Sequence, residues 1–445
     1  MNVVLVAIDS LRADHLGCYG YDLPTSPHID ALAAESVLFE RAFAPGIPTT
    51  PSFTTLMTGL HPYRHGILAH LTERRLKPET QTIAQVARRA GYATAGIDNL
   101  AVQGNGRGSW MARGFDYYSA FLFKPFSNQC EELTNRALSF IDDLGAQPFF
   151  LFLHLWDPHT PYGPPPPFDT LHYHPGRHPF SIEEIKSPAS EYYDAFLADM
   201  KLQKPDDYDW IMAQYDGEIS YVDTQIERLT AHLKAKNLWD ETIFVLMSDH
   251  GEAFGEGGFH FDHHGLYDAV IRVALTMRVP GIAAVRSKAM VSTEDILPTL
   301  CQLADWPLPD SEITGRSFTS SLTGAAARDE IFAVEATRQA SLALRTQKWK
   351  FIQPIVRDKN GASLPDFHGN LRDNAPLLFD LENDAAETQN VAAQFLSVRD
   401  ELSARLTKWH QEEVARRNGD DPLLDGLTLP VESFLTRIKS RNNNQ

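Results

Sequence analysis

Asn2-Val-Val-Leu-Val-Ala-Ile-Asp9 is an unbroken apolar run, rich in β-branched residues, that stops on an acid. Side chains of a strand alternate between its two faces, so a run apolar at every position needs cover on both, the condition of a strand inside a parallel sheet. Two later runs repeat the pattern. Pro148-Phe-Phe-Leu-Phe-Leu-His-Leu-Trp156 leads into Asp157, and Thr242-Ile-Phe-Val-Leu-Met-Ser248 leads into Asp249. Ligands of open α/β sheets bind beyond the carboxyl ends of the strands. Three runs that each end in polar, potentially ligating residues therefore predict one crevice where those ends converge.

Outward from these strands, Ile219, Val222, Ile226, Leu229 and Leu233 recur at helical spacing and predict a crossover helix. Helices are also predicted from Thr82 to Ala90 and from Ala31 to Phe39, the second introduced by Ser26-Pro27, with a strand from Ala93 to Ile97. The stretch 159–205 departs from this alternation. It carries Pro164 to Pro167 in a row, and a loop of that length reads as a lid-like insertion. His172, His174 and His178 within it read as solvated loop residues. From about Ile331 the pattern changes to short strands, Ser341 to Arg345 and Trp349 to Ile352, and then to a helix from about Glu387 to Arg416. The expected fold class is α/β: a mostly parallel central sheet flanked by helices in a catalytic domain over 1–330, and a smaller C-terminal α+β domain over 331–445.

The 445 residues include 40 Lys and Arg against 58 Asp and Glu, a formal net charge of −18. Such a balance argues against a nucleic-acid or anionic-membrane binder. An anionic substrate would need a local source of positive charge, such as a bound metal. Three cysteines without a C-x-x-C pair fit a reducing compartment, and no apolar run reaches the roughly 18 residues of a transmembrane helix. The first residues read as a strand and not as a leader, so a cytoplasmic location with no membrane partner is expected. The oligomeric state is not legible.

Carboxylates and imidazoles at rigid strand ends suit hard cations and phosphate chemistry. Asp9 closes the first strand, and Ser248-Asp-His-Gly-Glu252 puts Asp249 and His250 side by side at the end of another. With these residues in view, the chain resembles a sulfatase-type member of the alkaline phosphatase superfamily. The matching stretches are Val6-Ala-Ile-Asp-Ser-Leu-Arg-Ala-Asp-His-Leu-Gly-Cys-Tyr-Gly20, Thr49-Thr-Pro-Ser-Phe-Thr-Thr-Leu-Met-Thr-Gly59, Ser248 to Glu252, and Leu378-Phe-Asp-Leu-Glu-Asn-Asp-Ala-Ala-Glu-Thr-Gln-Asn-Val391. They fall in family order from residue 6 to 391, with Ala385 where proline is usual.

The resemblance implies a metal-dependent ester hydrolase acting on a small anionic ester, and its exceptions say which one. Most sulfatases carry C-x-P-x-R, or the same motif beginning with serine, and convert the first residue to formylglycine. Here Thr49 stands at that position and Phe53 replaces the arginine. Threonine cannot be oxidised to the aldehyde, so no formylglycine is expected. Superfamily phosphodiesterases and phosphoryl transferases instead use a threonine hydroxyl as nucleophile, activated by a metal. Thr49 could equally be a helix N-cap, and the two roles are compatible.

By resemblance, Asp9, Thr49, Asp249 and His250 hold one divalent metal, zinc or manganese being favoured by the mixed Asp/His set. His264, in Gly255-Glu-Gly-Gly-Phe-His-Phe-Asp-His-His-Gly-Leu-Tyr267, falls at a histidine that contacts substrate or a second zinc in relatives. His159 matches the other mid-chain histidine, so Asp157, His159 and His264 make a possible second metal site, although Asp157 and His159 could simply form a turn. Asn99 lies where relatives place an asparagine on a phosphoryl oxygen, or is a turn residue. Arg12 and His65 are further candidate oxyanion contacts, and Phe53 is either an apolar wall of the site or core. The expected activity is hydrolysis of phosphate diesters or phosphonate monoesters through a phospho-threonine. Sulfuric ester hydrolysis without formylglycine and phosphoryl transfer are the alternatives.

Overall fold

The computed structural model describes residues 1–98, 108–120, 129–144, 147–186, 190–200, 202–325, 327–430 and 436. Asn2–Ile8 forms the expected inner strand, buried at all seven positions. It runs parallel to Phe149–Leu155 on one side and to Thr242–Ser248 on the other. Ile8 pairs with Leu155 and with Ser248, so the residues that follow, Asp9, Trp156 and Asp249, emerge at one edge. The register of three apolar runs thus assembles the crevice.

Among the described residues the central sheet has nine strands, in the order Arg272–Val273, Val37–Phe43, Leu275–Arg278, Thr242–Ser248, Asn2–Ile8, Phe149–Leu155, Ala93–Ile97 and Tyr117–Ser119, with Val285–Ser292 also on Val37–Phe43. Its pairs are parallel except where Arg272–Val273 and Leu275–Arg278 run antiparallel to their neighbours. Helices cover both faces. Tyr208–Ala235 is the crossover helix on one side, built around Ile219, Val222, Ile226, Leu229 and Leu233. Thr49–Thr58 packs on the other face with Phe53, Leu56 and Met57.

A second sheet orders Leu377–Asp380, Trp349–Pro354, Ser341–Thr346 and Glu330–Glu335 antiparallel, and ends on the short strand Gly46–Ile47. That last strand comes from the early part of the chain. It lies directly before Thr49, so the smaller sheet domain is fastened to the segment that delivers the threonine.

Two helix expectations shift. The predicted helix from Ala31 to Phe39 is Pro27–Ala34, because Val37, Leu38 and Phe39 enter a strand where their bulk is buried. The late helix begins at Leu396 and not near Glu387, since residues 381–395 form turns around Asp384 and Asn390 side chains that bond backbone N–H groups. The insertion is also less solvated than its composition suggests. His172 is buried with its Nε2 2.8 Å from Ser220 Oγ, and His178 Nδ1 lies 2.8 Å from Asp209. Both histidines pin the insertion to the long helix. No described helix is long and apolar enough to cross a membrane.

Candidate active site

Asp9, Asp249 and His250 are fully buried and converge, with ligating atoms within 4.8 Å of one another. Their backbone neighbours fix one oxygen of each acid. Asp249 Oδ1 accepts from the backbone N–H of Ser10 at 3.2 Å and of His250 at 2.8 Å, and Asp9 Oδ1 accepts from Ser10 Oγ at 3.1 Å. The outer oxygen of Asp249, Oδ2, is buried without a hydrogen-bond donor. His250 Nδ1 donates to the Gly251 carbonyl at 2.9 Å, which fixes the tautomer and leaves the Nε2 lone pair facing the acids. Gly251 itself cannot carry a side chain, because a Cβ there would lie 2.0 Å from the Ala269 carbonyl oxygen.

Thr49 is the first residue of its helix, and Pro48, not Thr49, occupies the N-cap position. The Thr49 hydroxyl makes no cap; its Oγ1 lies 3.1 Å from His250 Nε2. The helix start is held there by Ser52 Oγ, which donates to the Asp249 carbonyl at 2.7 Å. All ten helix residues are buried, and Thr54 and Thr58 return their hydroxyls to carbonyls four residues earlier. The helix N-terminus therefore adds its partial positive charge at the threonine.

Two buried carboxylates this close cannot both be charged without compensation. Burial and the Asp9 charge push the Asp249 carboxyl well above the ordinary range. Burial opposes ionisation of Asp9 as well, but His159, His154 and His250 outweigh it and hold that carboxyl low. Burial and the neighbouring His263 push His250 down to about 3, so its imidazole is neutral. The unpartnered oxygen of Asp249, the Asp9 carboxylate, a neutral imidazole nitrogen and a hydroxyl are a donor set that a divalent cation fits.

Beneath Asp9 lies a residue that sequence reasoning missed. His154 is 1% exposed, with Nε2 3.2 Å from Asp9 Oδ2 and Nδ1 2.9 Å from Asp98 Oδ1. Burial disfavours its charge, yet the two acids outweigh burial and push it up to about 10. It is a resident cation of the site. Its signal was a single histidine inside an otherwise apolar strand, paired with Ala7 two residues before Asp9. Phe53 is core: 1% exposed, its ring is edge-on to His154 at 4.6 Å and to Phe152 at 5.9 Å.

The second predicted ligand set, Asp157, His159 and His264, is not brought together as a metal-ligating group. Asp157 is buried, and its Oδ2 accepts the Cys130 backbone N–H at 3.1 Å. His264 turns toward the smaller sheet, 3.7 Å from Asp262 and 3.8 Å from Glu335. Its neighbour His263, which the sequence reading passed over, takes the inner position instead. The His263 ring lies 4.8 Å from that of His250 and 4.9 Å from that of His159. Burial pushes His263 down to about 4 and lowers His159 too, so three neutral imidazoles line the crevice. Among the described residues the other group that could hold a cation is Asp262, His263 and His264.

The remaining candidates separate cleanly. Arg12 is consumed as a clamp, pairing with Asp14 and Glu256 at 2.8 Å and with the Glu252 carbonyl at 3.1 Å. His65 Nε2 lies 3.1 Å from Thr55 Oγ1 inside the helix packing. Both are structural. Asn99 lies outside the described residues. Arg338, from the smaller sheet domain, was also missed; it is buried with Nε 3.6 Å from Asp262.

Comparison with known proteins accords with this arrangement. The Sulfatase family model matches residues 1–306. The chain is 23% identical to an N-acetylgalactosamine-6-O-sulfatase of Bacteroides thetaiotaomicron, over 91% of this chain and 92% of that protein. It is 28% identical to human iduronate 2-sulfatase over 64% of this chain, and spans 60% of that relative's length. The phosphonate monoester hydrolase of Agrobacterium radiobacter superposes with a TM-score of 0.72 at 23% identity, over 93% of this chain and 96% of that one.

Proposed function

The chain belongs to the sulfatase family, and from that membership we propose that it hydrolyses phosphate diesters or phosphonate monoesters with the Thr49 hydroxyl as nucleophile. The observation that carries the reading is the Thr49 hydroxyl itself, 3.1 Å from His250 Nε2 at the head of a buried helix. Its carbon bears a methyl group, so oxidation to the family's aldehyde is closed and the hydroxyl must act directly. Asp9, Thr49, Asp249 and His250 would hold a divalent cation, zinc or manganese by their mixed donors, which when bound would supply Lewis acidity and lower the pKa of that hydroxyl.

The chain's own groups do the rest. Thr49 Oγ1 forms a bond to phosphorus as the bond to the leaving alcohol breaks, and the threonine proton ends on that alcohol. His159 Nδ1 is turned to the Thr160 carbonyl. That leaves its Nε2 as the acceptor for the proton of the water that cleaves the phospho-threonine. His263, between His250 and His159, offers an N–H to a non-bridging oxygen. With neutral imidazoles on this wall, a monoanionic ester suits the site better than a dianionic one.

Sulfuric ester hydrolysis through the same threonine is the second reading, favoured by relatives that are named as sulfatases; a sulfate ester carries the same single charge. The test is turnover of bis-p-nitrophenyl phosphate, p-nitrophenyl phenylphosphonate, p-nitrophenyl phosphate and p-nitrophenyl sulfate by zinc- and manganese-loaded protein, wild type and Thr49→Ala. Diester or phosphonate turnover lost in Thr49→Ala is expected. Dominant sulfate turnover would select the second reading, and activity surviving Thr49→Ala would remove the nucleophile.

A further inference from the structure

We propose that the cleft between the edge of the central sheet and the smaller sheet domain binds a tetrahedral oxyanion, separately from the catalytic crevice. The cleft encloses about 330 Å³ and is lined by Arg41, Arg272, Arg286 and Arg345, with Glu40 and Asp268 as its lining carboxylates. Both acids are engaged. Glu40 lies 3.0 Å from Arg286 Nε, and Asp268 lies 2.6 Å from Lys350 Nζ and 3.0 Å from Arg345 Nη2. Lys350 also reaches Glu387 at 3.2 Å. Five cations thus face three carboxylates. Arg41 bonds the Gln347 side chain, and Arg272, whose charge is felt by Asp14, leaves its Nε without an acceptor.

Two donors add a second reason. The Nε groups of Arg272 and Arg345 are buried without an acceptor, and the Arg345 side chain is only 8% exposed. A buried donor left unmet is costly, and forked guanidinium groups match the paired oxygens of phosphate or sulfate. The cleft is also held in shape: the Arg272 guanidinium lies over the Tyr19 ring at 5.7 Å, and the Tyr19 hydroxyl accepts the Leu275 N–H at 2.9 Å. In a chain with a net charge of −18, long-range attraction does not explain such a cluster. A local ligand of opposite charge does.

None of Asp9, Thr49, Asp249, His250, His159 and His263 lines the cleft. The two sites are joined by the short helix Asp268–Ile271: Asp268 lines the cleft, and the Val270 carbonyl accepts the N–H of Gly251, next to His250, at 2.7 Å. The ion could arrive free, as inorganic phosphate or sulfate, or as a second charged group on an extended ester. Only the second source rests on the hydrolase reading.

The test titrates the full-length, metal-loaded chain with inorganic phosphate and with sulfate by calorimetry, comparing wild type with Arg41→Gln/Arg272→Gln and, as a second variant, Arg286→Gln. Affinity is expected to fall about tenfold or more in the double variant, with kcat/KM on a p-nitrophenyl ester unchanged in the absence of added ion. Wild-type affinity in both variants would put the ion elsewhere and overturn the proposal. So would the absence of wild-type binding at about 10 mM. A sulfated disaccharide separates the sources: its KM rises in the double variant if the cleft holds a substrate group, and stays level if it holds a free ion. If no ester is turned over, the hydrolase reading fails while calorimetry still reads the cleft.

Discussion

Phe53→Arg restores the residue that the family motif carries at this position, and the structure says that it will destabilise the protein and not repair it. The Phe53 ring is 1% exposed and its centroid is 4.6 Å from that of His154. Two unit charges at that separation repel by about 4 kcal/mol at an effective dielectric of ~20. His154 can escape by losing its proton. With its folded value pushed up to about 10, that loss costs about 4 kcal/mol at pH 7 and about 1 kcal/mol at pH 9, at ~1.4 kcal/mol per pH unit. The sign follows from linkage: a histidine raised above its ordinary 6.5 contributes its full stability below that value and loses it as pH rises through about 10. The charge penalty in Phe53→Arg therefore shrinks by roughly 3 kcal/mol between pH 7 and pH 9, on top of a pH-independent cost of burying the guanidinium. Phe53→Leu carries the packing loss alone and serves as the control. The assay is urea unfolding of wild type and both variants with a chelator present, so that no cation at Asp9 competes with His154. An equal deficit of Phe53→Arg at the two pH values would refute the charged His154.

Other consequences follow from the same geometry. Asp249→Asn removes the buried oxygen that no donor meets and is expected to weaken zinc and manganese binding by at least tenfold in calorimetry, with the fold retained. His263→Ala is expected to lower kcat/KM by about 10²–10³, whereas His264→Ala, whose ring faces the smaller sheet, should lower it far less; equal losses would return the inner position to His264. Because burial lowers His159, the proposed acceptor of the water proton, the acid limb of kcat/KM should fall below the ordinary histidine value of 6.5, as a pH–rate profile would show. Lys350→Met leaves Asp268 and Glu387 buried without their ammonium and should cost about 3–5 kcal/mol in urea unfolding.

The sheet was legible because a strand buried on both faces leaves no choice of residue type. Asn2–Ile8, Phe149–Leu155 and Thr242–Ser248 could be recognised without neighbours, and their register then placed Asp9 and Asp249 together. The helix boundaries were less legible. The apolar residues of Val37–Phe43 satisfy a helical pattern about as well as a strand, and only the pairing with Leu275–Arg278 and Val285–Ser292 decides between them. Among site residues, those at strand ends could be found, whereas His154 could not, because its importance depends on Asp98 from a different strand end. The choice between His263 and His264 depended on which ring turns inward. Adjacent residues in a loop give no periodic signal for that.

Phe53 and His154 are one substitution in space although they lie far apart in sequence. A cation four residues after Thr49 would reach the site from the helix; here the helix supplies a ring, and the cation rises from the sheet below, ion-paired to Asp9 and Asp98. The difference matters for chemistry because His154 is enclosed at 1% exposure and spends its nitrogens on two acids. It can tune Asp9, but it has no nitrogen left for a substrate oxygen. Stabilisation of the transferred group then falls to the Thr49 helix N-terminus, to any cation held by the acids, and to the His159 and His263 rings, which are neutral. That is the argument for proposing a monoanionic ester: a dianion would ask for more fixed charge than these groups supply. If Thr49 is the nucleophile, as proposed, its direct hydroxyl would favour an ester whose covalent intermediate is released by a second attack at the transferred atom, and that is the reason for proposing phosphorus.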